Sequence, residues 1–187
     1  MDLYRVFPWN PASKDSEFGG AFFVARKKQG QGRYDIPKLD GAFYCSQESV
    51  SAVSEFIQGF RGQTLTEAHF ERPDELVIAI VRFTLDSSAR VLNLDDPDVL
   101  SRLKIRPSQV LTRNRDTTRA IAERLYAEGN AGFLWPSALE ASWTNATLFE
   151  SRIRKKLSIS EPAKPLSLEA PEVIQAATFL RITLGKG

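Results

Sequence analysis

The stretch GRYDIPKLDGAFYCSQESVSAVSE, residues 32–55, predicts a loop, a short strand and an amphipathic helix in succession. Residues 42–45 are apolar enough for a buried strand, and Ser46 after them is of a type that commonly caps helices. Apolar side chains then recur at helical spacing, at Val50, Val53, Ile57 and Phe60. Glu55 falls on the opposite face of this helix, where it is either solvated or turned into a polar cleft.

Further short strands and helices are predicted on both sides of this stretch. Residues 76–81 are continuously apolar, as in a central strand that is covered on both faces. Asp96 before Pro97 marks one helix start, and a second helix is predicted to open at Asp116 and stop at Gly129. Other predicted strands are 3–7, 132–135 and 145–149. Together these elements predict an α+β fold, a single domain with a compact mixed or antiparallel sheet and flanking helices.

The length and the proline distribution predict the domain organisation. The 187 residues suit one domain with a tail. We expect residues 1–160 to form the domain that carries the chemistry. Residues 161–187 are predicted to be a proline-containing linker and a C-terminal element that packs on the same domain, because three prolines fall between 161 and 171.

Composition excludes several classes of protein. A net charge of +2 does not indicate a general polyanion-binding role, so no direct nucleic-acid binding is expected. The single cysteine, Cys45, cannot form an internal disulfide, and with one histidine, His69, the chain cannot build a Cys/His zinc site. No apolar run is long enough to cross a bilayer, and the N-terminus lacks the pattern of a secretory signal. We therefore expect a cytoplasmic protein with no membrane partner.

Five polar residues could carry chemistry: Arg5, Arg33, Tyr44, Glu55 and Ser137 at the end of the predicted strand 132–135. A planar guanidinium can give paired, charge-assisted hydrogen bonds to a pyrophosphate. A glutamate beside a sugar can hydrogen-bond a ribose hydroxyl and stabilise positive charge that develops at the anomeric carbon. A tyrosine can stack on a nicotinamide ring, and a serine can hydrogen-bond the ribose or orient the attacking water. Taken singly, each residue is more commonly structural or solvated, so residue type alone leaves both interpretations open.

Three motifs, in this order along the chain, resemble the RES domain family, which is named for an Arg, a Glu and a Ser. They are Tyr4-Arg5; Gly32-Arg33-Tyr34-Asp35 with Gly41, Phe43-Tyr44-Cys45-Ser46, Ala52 and Glu55; and Gly132-Phe133-Leu134-Trp135-Pro136-Ser137-Ala138 with Asn145 and Leu148-Phe149. The similarity runs from residue 3 to residue 150. The chain departs from the family pattern at Tyr34, where relatives often have Trp, in the looser 36–40 loop, and after Phe149, where no motif matches.

The resemblance implies a fold similar to that of ADP-ribosyltransferases and a toxin enzyme of a bacterial toxin–antitoxin pair that consumes NAD+ by hydrolysis or phosphorolysis. The active-site residues that it implies are Arg33, Tyr44, Glu55 and Ser137, with Arg5 and Asn145 as further NAD-binding residues. NAD+ would be the substrate, with no cofactor and no metal, and an Xre-type antitoxin encoded nearby would be the partner.

Two other functions stay open. An ADP-ribosyltransferase would use the same residues to modify a protein. A non-catalytic interaction domain would bind a partner through its basic loops and would neither bind nor turn over NAD+.

Overall fold

The computed structural model describes residues 1–185, except for the side chain of Lys28. The strands are β1 Asp2–Trp9, β2 Ala42–Ser46, β3 Thr64–Leu65, β4 Val77–Leu85, β5 Val91–Asn93, β6 Gly132–Pro136, β7 Thr144–Phe149, β8 Leu157–Pro165 and β9 Thr183–Leu184. The α-helices are α1 Ser49–Ile57, α2 Pro97–Leu103, α3 Pro107–Leu111, α4 Arg115–Ala127, α5 Glu150–Ile153 and α6 Pro171–Leu180. The predicted α+β class, with a mixed sheet and flanking helices, is confirmed.

The chain divides into two compact units, each built from separate segments. The first comprises Met1, Val24–Cys45 and Thr84–Ser158, and the second comprises Asp2–Phe23, Ser46–Phe83 and the described residues from Ile159 onwards. The proposed division between residues 160 and 161 stays a prediction. Within residues 1–185, no helix has the length and apolar character that crossing a membrane requires.

The first unit contains four neighbouring strands in the order β5-β6-β7-β2. β5 runs parallel to β6, with Val91 opposite Gly132. β6 runs antiparallel to β7, with Gly132 opposite Leu148 and Trp135 opposite Asn145. Gly132 has to lack a side chain, because a Cβ there would lie 2.5 Å from the carbonyl oxygen of Thr147 on the neighbouring strand.

Aromatic side chains form the centre of the first unit's core. The ring of Tyr34 is fully buried, with its centroid 4.8 Å from that of Phe133 and 5.2 Å from that of Trp135, both in edge-on geometry. Such pairs contribute about 0.5–1.5 kcal/mol each beyond the area they bury. The hydroxyl of Tyr34 donates to the carbonyl of Val110 at 2.7 Å, which satisfies its one donor inside the core. Tyr34 therefore fixes the loop that carries the neighbouring Arg33 to the core of the first unit.

The second unit contains the neighbouring strands β1, β4 and β8, in that order. α1 packs against both β1 and α6, and the short strands β3 and β9 pair in parallel. Arg82 on β4 ties its neighbours together, because its guanidinium donates to Asp2 on β1 and, at 2.6 Å, to Glu161 on β8. The pKa of Arg82 is raised by these two carboxylates.

Helix starts were predicted with mixed success. The Asp96 cap is confirmed, since its Oδ1 accepts from the backbone nitrogen of Asp98 at 2.8 Å. The Ser46 cap is wrong: Ser46 ends β2 and pairs with Tyr4, and α1 begins three residues later. The second predicted helix begins at Arg115, one residue before the predicted start at Asp116, and its cap is Asn114, whose side chain accepts from the first turn. A strand residue cannot cap a helix, however suitable its hydroxyl is.

The predicted linker is wrong at its start, because residues 157–165 form strand β8. β8 is the last strand in the order and its residues alternate between more and less exposed positions. Prolines are tolerated in an edge strand, where the missing N–H would face away from the neighbour. The helical part of the predicted C-terminal element is present as α6; residues 186 and 187, at its end, lie outside the described residues.

The 36–40 segment, which is looser than the family pattern, is a tight turn. The carbonyl of Ile36 accepts from the backbone nitrogens of Leu39 at 2.8 Å and Asp40 at 2.9 Å. The buried Asp40 carboxylate accepts from the nitrogen of Gly41 at 2.7 Å and from the hydroxyl of Ser151. The path into β2 is thus set by hydrogen bonds rather than by packing alone.

Candidate active site

Arg33 lies in the loop before β2 and is held from two directions. Its Nη1 donates to the carbonyl of Thr112 at 2.7 Å, and its guanidinium carbon lies 5.4 Å from the centroid of the Trp135 ring. The hydroxyl of Thr118 donates to the carbonyl of Arg33. The bond to Thr112 uses one of the five N–H donors that a guanidinium offers. A half-exposed planar cation, oriented by a carbonyl and an aromatic face, suits the binding of a phosphate group.

Tyr44 lies on β2 and uses its hydroxyl inside the fold. The hydroxyl donates to Oδ1 of Asp35 at 2.8 Å and accepts from the backbone nitrogen of Tyr34 at 2.9 Å. Because the only hydroxyl hydrogen is used in the bond to Asp35, Tyr44 can offer a ligand its ring or a remaining lone pair. This differs from a tyrosine that donates to substrate.

The pKa values of Tyr34 and Tyr44 are both raised above the usual value for tyrosine. Burial is the largest cause for each, because it disfavours the charged phenolate. At Tyr44 the negative charge of Asp35, and the hydrogen bond to it, act in the same direction. Both hydroxyls therefore keep their protons in the folded protein at a pH where the unfolded chain releases them.

We expect this protein to lose stability as the pH rises above about 10, the ordinary tyrosine pKa. The folded pKa is the raised one, so the contribution is fully present below the unfolded pKa and is lost as the pH rises towards the folded pKa. The buried Tyr34 contributes up to about 1.4 kcal/mol per pH unit in that range. Urea unfolding of wild type and Tyr34→Phe between pH 8 and pH 11 tests this, and the variant should show the shallower decline. Equal slopes above pH 10 would contradict the assignment.

Asn145 lies on the same face of the first unit's strands as Trp135, and Ser137 follows directly after β6, the strand that carries Trp135. Asn145 is the cross-strand partner of Trp135, and opposite residues in an antiparallel pair project to one side of the sheet. Ser137 lies two residues beyond Trp135, its nitrogen donates to the carbonyl of Trp143 at 2.8 Å, and its Oγ accepts from the nitrogen of Leu139 at 3.1 Å. Both are buried polar residues. Trp135 is thus contacted by Arg33 and has Asn145 as its cross-strand partner, while Ser137 follows the end of the same strand.

Glu55 and Arg5 belong to the second unit. Glu55 is half-buried on α1, and its Oε2 accepts from Nε2 of Gln58 at 2.8 Å. Arg5 on β1 donates to the carbonyls of Ala21 at 2.7 Å and Phe23 at 2.8 Å. These two bonds give Arg5 a structural role in closing the loop after β1, and its contact with NAD+ stays a prediction.

Two residues with evident roles at the site were not among the predicted site residues. Trp135 supplies the aromatic face under Arg33, and Asp35 accepts the Tyr44 hydroxyl. Both lie inside the quoted motifs, Asp35 two residues after Arg33 and Trp135 two before Ser137. Spacing within a motif is therefore the signal that could have found them. In the described part of the chain, no group of three or more His, Cys, Asp or Glu residues could hold a metal ion.

Comparison with known proteins identifies the family. The model of the RES domain family matches residues 2–170, which is most of the chain, and the protein therefore belongs to the RES domain family. A chain of the crystal structure of the M. tuberculosis MbcT–MbcA toxin–antitoxin complex is similar in fold, with a TM-score of 0.59 and 16% sequence identity. The similarity covers 97% of this chain and 87% of that one. A search of curated proteins found no match.

Proposed function

We propose that this RES-domain protein is the toxin of a toxin–antitoxin pair and that it degrades NAD+ by cleaving the bond between nicotinamide and ribose. The observation that carries the proposal is the family match over residues 2–170, which spans every predicted site residue from Arg5 to Asn145. The similarity in fold to a chain from a toxin–antitoxin complex supports the same function.

The proposed roles follow from the chemistry of each group. Arg33, with Arg5, binds the pyrophosphate through charge-assisted hydrogen bonds, and Tyr44 holds the nicotinamide ribose end. As the glycosidic bond breaks, its electron pair leaves with nicotinamide and positive charge develops on the ribose, which the Glu55 carboxylate stabilises. Ser137 fixes the ribose or orients the acceptor.

The acceptor sets the products. Attack by water gives ADP-ribose, nicotinamide and a proton, whereas attack by inorganic phosphate gives a phosphorylated ADP-ribose and nicotinamide. Transfer to a side chain of another protein would make the enzyme an ADP-ribosyltransferase. We further propose a cytoplasmic location and an Xre-type antitoxin as partner, in keeping with the family.

Incubation of the purified protein with adenine-labelled NAD+ tests the proposal and separates these outcomes. We expect labelled ADP-ribose without phosphate, or the phosphorylated product when phosphate is present. A labelled protein band in a cell extract would instead favour ADP-ribosyl transfer. Intact NAD+ in every sample, together with no measurable binding of NAD+, would favour a non-catalytic interaction domain and contradict the proposal.

A further inference from the structure

We propose that Asp35 is a positioning residue of this site, whose buried carboxylate holds the backbone on both sides of Arg33. The inference rests on the proposed function, since it names the residue that places the NAD+-binding arginine. Asp35 lies two positions after Arg33 and is buried in the first unit.

The Asp35 carboxylate is almost fully buried, at 3% exposure, and is surrounded by donors. Oδ2 accepts from the backbone nitrogens of Gly30 at 2.6 Å and Gly32 at 2.7 Å. Oδ1 accepts from the hydroxyl of Tyr44 at 2.8 Å. Among the described side chains, no lysine, arginine or histidine forms an ion pair with it. The carboxylate is therefore satisfied by backbone and hydroxyl hydrogens alone.

The hydrogen bonds place restraints immediately before and after Arg33. The nitrogen of Gly32 donates to Asp35 directly. The nitrogen of Tyr34 donates to the Tyr44 hydroxyl at 2.9 Å, and that hydroxyl is fixed by its own bond to Asp35. One carboxylate thus restrains the Gln31–Gly32 peptide directly and the Arg33–Tyr34 peptide through Tyr44, and the orientation of the arginine towards Thr112 and Trp135 depends on it.

The residue type at position 32 supports the same account independently. A Cβ on Gly32 would lie 2.4 Å from Oδ1 of Asp35 and 2.6 Å from the hydroxyl oxygen of Tyr44. Both contacts are too short for real atoms, so a side chain there would push the carboxylate and the phenol apart. The approach of the loop to Asp35 is close enough to admit only glycine.

Burial of a carboxylate without a cation is costly unless hydrogen bonds replace the lost water. Charge-assisted bonds are about twice as strong as neutral ones, which is why three of them can hold a loop in place. Asparagine has the same shape but a single acceptor oxygen, so it would turn its NH₂ group towards at least one of the three donors.

The test compares Asp35→Asn with Asp40→Asn, a matched change at another buried aspartate of the same unit. For NAD+ loss we expect Asp35→Asn to raise KM about tenfold with a smaller change in kcat, because the misplaced group binds substrate. Asp40→Asn should keep the wild-type KM even where it lowers the melting temperature. An unchanged KM in folded Asp35→Asn would overturn the proposal.

A double variant separates positioning from general destabilisation. If Asp35 acts through Arg33, then Asp35→Asn added to Arg33→Lys should raise KM little beyond the single Arg33→Lys change, because the two act through one contact. A merely structural role predicts that the two effects multiply. Should Asp35→Asn fail to fold, Gly32→Ala displaces the same carboxylate, because its Cβ would lie 2.4 Å from Oδ1 of Asp35. It should give the same non-additivity with Arg33→Lys, and multiplying effects there would overturn the proposal.

A readout without turnover keeps the inference distinct from the proposed function. In the NMR spectrum of the wild type, the amide protons of Gly30 and Gly32 should lie downfield of ordinary glycine amides, and Asp35→Asn should move both upfield while Asp40→Asn does not. If these shift changes are observed but the wild-type protein degrades no NAD+, the proposed function is refuted while the hydrogen bonds of Asp35 are established. If the amide proton shifts of Gly30 and Gly32 do not change in Asp35→Asn, the positioning role of Asp35 is overturned.

Discussion

Glu55→Gln should lower kcat for NAD+ loss by about 10²–10³, the usual effect of removing one electrostatic contact made in the transition state. The amide has almost the same shape but no charge to stabilise a positive ribose. Its oxygen can still accept from Nε2 of Gln58, which bonds Oε2 of Glu55 at 2.8 Å, so α1 should stay folded. Steady-state kinetics with purified protein give kcat, and circular dichroism checks the fold.

Glu123→Gln is the matched control for this prediction. Glu123 is an exposed glutamate on α4, so the same change of charge occurs on a helix surface. It should leave kcat within about twofold, because exposed substitutions away from special features have small effects. A folded Glu55→Gln protein with full activity would remove Glu55 from the mechanism.

Arg33→Lys should raise the KM for NAD+ by about tenfold to a hundredfold, because a hydrogen bond to a charged group contributes about 1.5–3 kcal/mol. Lysine keeps the positive charge but loses both the planar fork that pairs with a phosphate and the flat face that lies over Trp135. The pyrophosphate is bound equally in the ground state and the transition state, so kcat should change less than KM.

Arg102→Lys makes the same exchange at an exposed position in the last turn of α2. We expect its KM to equal that of the wild type. An Arg33→Lys protein whose KM is also unchanged would show that the fork and stacking geometry of Arg33 are not needed for substrate binding.

Apolar periodicity accounts for most of the fold that could be predicted. The continuous apolar run at 76–81 lies mostly within β4, and the strand predicted at 132–135 corresponds to β6. β8 was missed because its exposed, proline-containing edge lacks an apolar pattern. The Ser46 cap was misassigned because local residue preference cannot reveal that a serine is already paired with a strand.

The sequence could predict which residues belong to the candidate site, but it could not predict which hydrogen bonds they form. Residue types and a family resemblance select Arg33, Tyr44, Glu55 and Ser137, and their roles stay predictions. That the Tyr44 hydroxyl bonds Asp35, and that Arg5 bonds two carbonyls, depends on hydrogen bonds between separate segments of the chain. Such bonds leave no periodic trace in a sequence.

The concentration of NAD+ over time, with purified wild-type protein and Glu55→Gln in parallel, tests the proposed activity most directly. Our account predicts a steady fall in NAD+ with the wild type, release of one nicotinamide for each NAD+ lost, and a nearly constant concentration with the variant. A constant NAD+ concentration with folded wild-type protein, with and without phosphate, would contradict it.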